Sequence, residues 1–538
     1  MAMSSAGATE LANRLKAIAD ELRGRTNMEG FKFKDYILGV IFYRFLSERT
    51  EEFMNDLLKQ DNISYEDALA EDGEFADTVR QWSIDYLGYI IEPNELFRAM
   101  IPKIKAEKFD AEDFQKAINH LVASTTDPKY HDNNDDADSV KNLSAPVFAD
   151  MFSNVRMDDT ELGTTVADRT SIMNDMILKI SDIPFKADAS GIDVLGTAYM
   201  ILITMFASDA GKKAGEFFTP ASAAKLVARI AAAGMKSANN ICDPTAGSAS
   251  LLLQVLGELE DHEVGNFYTQ EKIASSYNIA RMNFLIHGVE YQKIHCFKAD
   301  TLLEDKLVDE DGKPILFDIT VANPPYSLDY KQTTALKEDP RFKGPGVLPP
   351  KSFADLLFLQ HMAYHMAEHG KVAVLLSQGS MTRGKKEQKI REYMIERLNC
   401  IDTIIGLPDK MFYGTGIAVD LVILKRNRNG DSDNIFFMDA SKLFVKEGKF
   451  NILTDDAIDE IVDAYMKRED IPKFTQKVPL TTIKDDGYIL NVPRYVDTTV
   501  EEAEIDIPAQ LKALEELDYK AAEASKIVYK YFKALGLK

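Results

Sequence analysis

The spacing of apolar residues changes along this chain, and the change predicts two kinds of structure. Up to about residue 168 they recur at helical intervals, as in Tyr36, Leu38, Ile41, Phe42 and Phe45. This predicts an all-α N-terminal domain (1–168) with the stripe as its core or, alternatively, as a docking face. Residues 169–475 carry short apolar runs that stop at polar turns. Ile241-Cys242-Asp243, the stretch ending Tyr268-Thr269-Gln270-Glu271, Cys296-Phe297-Lys298-Ala299-Asp300 and Ile315 to Ala322 read as strands, with Lys371 to Leu376 and Leu421 to Leu424 as later ones. The run Ala249 to Leu256 continues from the first strand as a helix. Strands alternating with helices predict an α/β domain with a mixed, mostly parallel sheet. Residues 476–538 form a C-terminal region whose helical tail carries apolar Leu511, Leu514, Leu517, Ile527, Val528 and Phe532.

Chemistry enters where the run Ile315 to Ala322 breaks into Asn323-Pro324-Pro325-Tyr326. Two prolines fix φ and remove two backbone donors, so the turn is stiff and its carbonyls face outward as acceptors. The Asn323 side-chain oxygen adds another acceptor. Acceptors out of the plane of an exocyclic amine draw its nitrogen towards a pyramidal geometry, and Tyr326 offers a stacking face. Asn-Pro-Pro is also an ordinary turn, so its neighbours decide. Asp243-Pro244-Thr245-Ala246-Gly247-Ser248 joins a strand to a helix through small residues, an arrangement that presents backbone N–H groups to a nucleotide-like or carboxylate-bearing ligand. Its single glycine departs from the dinucleotide fingerprint, which argues against a nicotinamide oxidoreductase, and it lacks the lysine of a phosphate loop. Asp243, Glu271, Asp300 and Asn323 lie about one βα unit apart. In a parallel sheet that repeat gathers them at the carboxyl edge, whereas any one of the acids alone reads as a helix cap or a solvated charge.

These residues resemble the methylation subunit of type I restriction-modification systems, an S-adenosylmethionine-dependent DNA adenine-N6 methyltransferase. The resemblance extends to Glu10-Leu11-Ala12-Asn13 through Leu22-Arg23-Gly24, Phe31-Lys32-Phe33-Lys34-Asp35-Tyr36, Gly215-Glu216-Phe217-Phe218-Thr219-Pro220, Gly406-Leu407-Pro408 and Phe412-Tyr413-Gly414-Thr415-Gly416-Ile417. It implies a Rossmann-like methyltransferase domain between a helical N-terminal domain and a C-terminal region for subunit assembly. It also implies that Glu216, Phe217, Phe218, Thr219 and Pro220 pack around the cofactor, and that Asp243, Thr245, Ala246, Gly247 and Ser248 hold its methionine part. Glu271 would accept hydrogen bonds from the ribose hydroxyls and Asp300 from the cofactor's adenine amino group. Asn323 and Pro324, with Pro325, would orient the target amine, and Tyr326 would stack on an adenine flipped out of double-stranded DNA. No metal is expected. The family has a second glycine where this chain has Ala249; alanine favours helix, so an earlier helix start is expected there.

Charge bears on partners. The net charge is −23 over 538 residues, and phosphate contacts dominate duplex affinity, so weak DNA binding by the isolated chain is expected. Few residues remain after the Gly414-Thr415-Gly416 motif, and they are acidic: Asp431-Ser432-Asp433, Asp455-Asp456 and Glu501-Glu502-Ala503-Glu504. Base readout is therefore expected from another polypeptide. The resemblance makes this a specificity subunit, with two methylation subunits per specificity subunit and a restriction subunit able to join. The run Ala198 to Phe206 is too short to span a bilayer, and Cys242, Cys296 and Cys400 have no paired spacing, so a prokaryotic cytoplasm is the expected location.

Other segments leave alternatives open. Asp132-Asn133-Asn134-Asp135-Asp136 reads as a mobile loop without calcium-site spacing. Asp339 to Pro350 is a lid over the target base or a surface connection. His361, His365 and His369 share helical spacing but lack a fourth zinc ligand. Lys385, Lys386, Lys389 and Arg391 form a solvated helix face or a phosphate contact. The same Asn-Pro-Pro-Tyr turn serves enzymes that methylate protein glutamine or RNA amines, which the helical N-terminal domain argues against. A non-catalytic scaffold is argued against by the complete set of presumed catalytic residues.

Overall fold

The computed structural model describes residues 2–130, 144–184, 194–210, 219–412, 417–428, 430–448, 450–497 and 507–536. The expected Glu216, Phe217 and Phe218, the loop 132–136 and the Tyr413 to Gly416 motif lie outside these residues. Among the described residues up to Ala232 the regular elements are all helices, with Gly30–Leu57 as the long central helix of the N-terminal part. Tyr36, Leu38, Ile41 and Phe42 of that helix are at most 2% exposed, so the stripe is core. Helix starts elsewhere in this part are set by local chemistry: Asp110 with Asp113, and Thr165 with Asp168, form reciprocal capping boxes.

The sheet then follows in chain order: β1 (Ser237–Asp243), β2 (Glu263–Glu271), β3 (Ile294–Lys298), β4 (Phe317–Ala322), β5 (Met366–Ser377), β6 (Ile401–Gly406), β7 (Val419–Lys425) and β8 (Asn434–Asp439). A small antiparallel hairpin, β9 (Val445–Glu447) and β10 (Phe450–Ile452), precedes the last strand, β11 (Thr475–Pro479). The nine-stranded sheet has the order β11-β8-β6-β7-β5-β4-β1-β2-β3. Strands β3, β2, β1, β4 and β5 run parallel, β7 is antiparallel to β5 and β6, and β11 is antiparallel to β8. Both faces are covered. Ala373 and Leu375 of β5 point into one apolar cluster, while Val372, Val374 and Leu376 point into another. A strand buried on two sides needs no polar alternation, which is why β5 and β7 appear in the sequence as unbroken apolar runs.

Arg281 joins the helical and sheet parts. It is fully buried on the helix Ala274–Ile286, and its Nη1 donates to the carbonyls of Pro146, Val147 and Ala149 at 2.7–3.0 Å. Residues 497–538 form a separate compact unit, built on the helix Ile507–Ala534, on which Leu511, Leu514, Leu517, Ile527 and Phe532 are exposed.

Ala249 corrects the expectation of an earlier helix start. It sits at φ 59°, in the left-handed region, and caps a helix that begins one residue later, Ser250–Glu258. The residue thus keeps a glycine-like conformation despite its methyl group. That conformation costs about 1–2 kcal/mol for an L-residue. Burying the methyl returns about 0.8 kcal/mol, and avoiding glycine's extra chain entropy about 0.5–1 kcal/mol. The terms nearly cancel, so Ala249→Gly is expected to shift stability by less than about 1 kcal/mol. Ala249→Val adds a branched side chain to a strained, fully buried position and should cost about 2–4 kcal/mol. Urea unfolding of the two variants checks this; equal midpoints would refute the assignment of the left-handed cap.

Candidate functional site

The chain leaves β1 towards β2 and β3 on one side, then returns to lay β4 against β1 on the other. Loops at the carboxyl ends of β1 and β4 therefore diverge and open a crevice between them. A cavity of about 360 Å³ occupies this place, within the usual range of about 300–1,000 Å³ for small-molecule sites. Thr219, Asp243, Thr245, Ala246, Gly247, Ser248, Glu271, Asp300, Asn323 and Pro325 all line it. Pro220, Pro324 and Tyr326 fall outside the lining. Ile203, Ile273, Leu328 and Phe358, which have no motif to mark them, supply apolar wall.

Each polar group has a defined support. Asp243 is 1% exposed and accepts from Thr245 N at 2.9 Å. Burial pushes its carboxyl up to about 7, opposed by the Thr245 N–H and reinforced by the nearby charge of Glu271. Glu271 accepts from Gly247 N at 2.9 Å and from Ile273 N at 2.8 Å, one bond to each oxygen. Gly247 lies at φ 54°, and a Cβ there would meet nothing within 4 Å, which leaves the loop's inner side open to a ligand. Asp300 accepts from Leu302 N at 3.1 Å and pairs with Lys272 at 2.9 Å. Three carboxylates against a lysine that is already paired make a cavity suited to a cationic, hydroxyl- and amine-bearing molecule and hostile to polyphosphates.

At the rim the Asn323 amide is held at both ends. Its Nδ2 donates to Thr219 Oγ1 at 3.0 Å, and its Oδ1 accepts from the Tyr326 hydroxyl at 2.6 Å. Burial holds the Tyr326 hydroxyl far above its ordinary pKa, so it stays a donor. The Tyr326 ring meets Phe412 edge-on, with centroids 5.9 Å apart. Thr219 thus fixes which way the amide faces, and its oxygen is held by the protein's own Tyr326 hydroxyl.

Two of the open segments are corrected by the geometry. The helix Asp355–Tyr364 ends at His365, and β5 starts at Met366, so His369 is on a strand and not in helical register with His361 and His365. Arg391 is fully buried and donates to the carbonyls of Tyr488, Ser380 and Arg383, leaving only Lys385, Lys386 and Lys389 exposed.

Two family models match the chain: N-6 DNA Methylase over residues 190–504 and the HsdM N-terminal domain over residues 11–160. The chain is 34% identical over 518 residues to the type I restriction enzyme MpnII methylase subunit of Mycoplasma pneumoniae, covering 93% of this chain and 91% of that one. It is 30% identical over 386 residues to the MjaVII methylase subunit of Methanocaldococcus jannaschii, covering 70% and 65%. Among solved structures it is similar to the type I restriction-modification system methyltransferase subunit from Streptococcus thermophilus, with a TM-score of 0.79 and 33% identity over 91% of this chain and all of that one.

Asp355 is a support that no motif announces. It is 1% exposed, accepts from Ser377 Oγ at 2.6 Å and from Ser327 N at 3.3 Å, and lies 3.9 Å from Arg383. Ser327 follows the Asn-Pro-Pro-Tyr turn with φ 52°, a strained conformation for a serine that this bond helps to hold. Asp355→Ala strands the buried Ser377 hydroxyl at about 1–3 kcal/mol and the partly buried Ser327 N–H at the lower end of that range. Asp355→Asn keeps one acceptor and should lose roughly half as much. Urea midpoints that fall equally for both variants would remove Asp355 from this role.

Proposed function

We propose the function of this chain from a plain premise: it belongs to the N-6 DNA methylases, among the methylase subunits of type I restriction enzymes. It is an adenine-specific DNA methyltransferase of a restriction-modification system. The observation that carries the finer reading is the Asn323 amide, oriented by Thr219 at the rim of an acidic cavity.

We divide the chain into a helical domain to about residue 168, a methyltransferase domain to about 475 and an assembly region beyond. S-adenosylmethionine fits the cavity's volume and charge, and when bound it supplies an electrophilic methyl group on a sulfonium. Asp243 and the Thr245 to Ser248 loop hold its amino-acid part, with Asp243 facing positive charge. Glu271 accepts from the ribose hydroxyls, Asp300 accepts from the adenine amino group, and Ile203, Ile273 and Phe358 give the base apolar walls. Thr219 completes the wall beside Asn323.

On the target side, Asn323 Oδ1 and the Pro324 carbonyl accept from the amine of a flipped adenine, which displaces the Tyr326 hydroxyl. The freed ring then stacks on the base at about 1–3 kcal/mol, of the order of the cost of unstacking it. The rest is alignment of a nitrogen with an electrophile at fixed distance. A separate specificity subunit reads the bases, with two methylation subunits to each, and a restriction subunit joins the assembly. Lys385, Lys386 and Lys389 touch phosphate beside the flipped base.

The test separates binding from chemistry. Glu271→Ala should weaken S-adenosylmethionine by about 1.5–3 kcal/mol in calorimetric titration. Asn323→Ala should bind it normally yet lose methyl transfer in the complex with the specificity subunit, while Tyr326→Phe keeps much of the activity. Normal methylation by Asn323→Ala, or site-specific methylation by the single wild-type chain, would overturn the mechanism or the partner respectively.

Asp243 adds a pH dependence. Its folded pKa is raised to about 7, so below that pH the carboxyl is neutral and offers no charge to a cationic ligand. Affinity for S-adenosylmethionine should therefore rise between pH 5.5 and 7.5, by up to about tenfold per unit on the acid side, and Asp243→Asn should flatten the slope. A wild-type affinity independent of pH over this range would show that Asp243 does not face the ligand's positive charge.

A further inference from the structure

The segment from Asp339 to Pro350 is neither a loose lid nor a bare surface connection. It is anchored by Arg341, 7% exposed, and by Phe342, fully buried. All five guanidinium N–H donors of Arg341 have acceptors. Nε donates to Asp339 Oδ1 at 3.0 Å and Nη2 to Asp339 Oδ2 at 2.7 Å. The second Nη2 donor reaches Leu302 O at 3.2 Å, and Nη1 donates to Thr301 O at 2.7 Å and to His361 Nδ1 at 3.1 Å. Fork geometry of this kind is beyond the reach of a lysine.

The two backbone acceptors belong to the turn that carries Asp300. Leu302 N donates to Asp300 Oδ1, and the Thr301 hydroxyl donates to Pro244 O at 2.6 Å, which ties this turn to the loop after β1. At its other end the segment packs on the stretch that follows Asn-Pro-Pro-Tyr, where Tyr330 Oη and Gln332 Nε2 both donate to Pro349 O at 2.6 Å.

Asp305, His361 and His365 place ligand-type atoms within 4.8 Å of one another. The geometry nevertheless argues against a metal. His361 Nδ1 accepts from Arg341, so its proton sits on Nε2 and no lone pair is left for an ion. His365 already pairs with Asp305 through Nε2 at 3.0 Å and with Ile315 O through Nδ1 at 2.8 Å. Burial, with the positive surroundings of His365 and Arg341, keeps His361 well below its ordinary pKa and so neutral. The Arg341 guanidinium already places a positive charge beside this cluster.

We infer that Arg341 is a positioning residue: by gripping the Thr301 and Leu302 carbonyls it sets the Asp300 carboxylate at the angle needed to recognise the 6-amino group of the cofactor's purine. This rests on the assignment of Asp300 to that amino group. Arg341 does not line the cavity and acts only through the turn.

The test is discrimination, measured by calorimetric titration of the full chain with S-adenosylhomocysteine and with S-inosylhomocysteine, in which an oxo group replaces the 6-amino group. The wild type should prefer the adenosyl ligand by at least about tenfold, because a site built around a donor rejects its absence. Arg341→Gln should reduce that preference below about threefold while changing inosyl affinity little. Asp339→Asn, which loosens the guanidinium and keeps it, should give an intermediate ratio even if Arg341→Gln folds poorly. The double variant Arg341→Gln/Asp300→Asn should discriminate no worse than Asp300→Asn alone. Equal losses for both ligands, with the ratio intact in Arg341→Gln and Asp339→Asn, would overturn the inference and leave Arg341 merely structural. An unchanged ratio in Asp300→Asn would instead refute the role of Asp300, and the inference with it.

Discussion

Everything at the site depends on the adjacency of β1 and β4. Two parallel strands joined in sequence would be bridged by a crossover packed over their carboxyl ends, with little room left for a ligand. Here the chain departs from β1 in one direction and comes back to β4 from the other, so no connection spans the gap between them. The loops carrying Asp243 and Asn323 can then face each other across open space. Ile241 pairs with Ile319 and Cys242 with Thr320, so the two loops start from the same level of the sheet. A slip of one residue in this pairing would turn every β4 side chain to the opposite face and take Asn323 out of the rim.

That crevice combines opposite electrostatic demands. Towards β1, β2 and β3 it holds carboxylates, one of them driven towards neutrality by its own burial, which together select a ligand with positive charge. Towards β4 it ends in a neutral amide and a phenol. A charged group there would bind a substrate amine strongly in its ground state without favouring its reaction. In the proposed function, a fixed amide oxygen aligns the nitrogen at less cost, and the Tyr326 hydroxyl donates to that same oxygen.

The parts of the fold legible in the sequence are those set by local rules. Apolar runs mark β4, β5 and β7 because strands buried on two faces carry no polar alternation, and the recurring interval of one βα unit is what brings Asp243, Glu271, Asp300 and Asn323 to one edge of the sheet. What stayed hidden is the support beneath them. Arg341, Asp355 and Arg281 each hold backbone carbonyls or hydroxyls tens of residues away, and such bonds leave no periodic trace. His369 was misplaced because helix and strand meet at His365 without a glycine or proline to mark the junction. Ala249 was misjudged because its propensity favours helix, while the loop's tertiary setting forces a positive φ. Arg391 looked like surface charge, since its neighbours Lys385, Lys386 and Lys389 are exposed, yet three carbonyls draw it inside.

A chain with a net charge of −23 meets DNA on unfavourable terms, and screening over about 8 Å at physiological salt removes only the distant part of that repulsion. The acidity is nevertheless useful where it is concentrated. Carboxylates packed at the edge of β1, β2 and β3 favour a cationic ligand such as the proposed cofactor, and the same field discourages phosphates from entering the cavity. Duplex affinity must then come from charge outside that field. Exposed Lys385, Lys386 and Lys389 are too few to offset the whole, because each phosphate neutralised contributes only one released counterion's worth of salt-dependent affinity. An acidic cavity and a net acidic chain are thus in keeping with the proposal that a separate polypeptide reads the DNA.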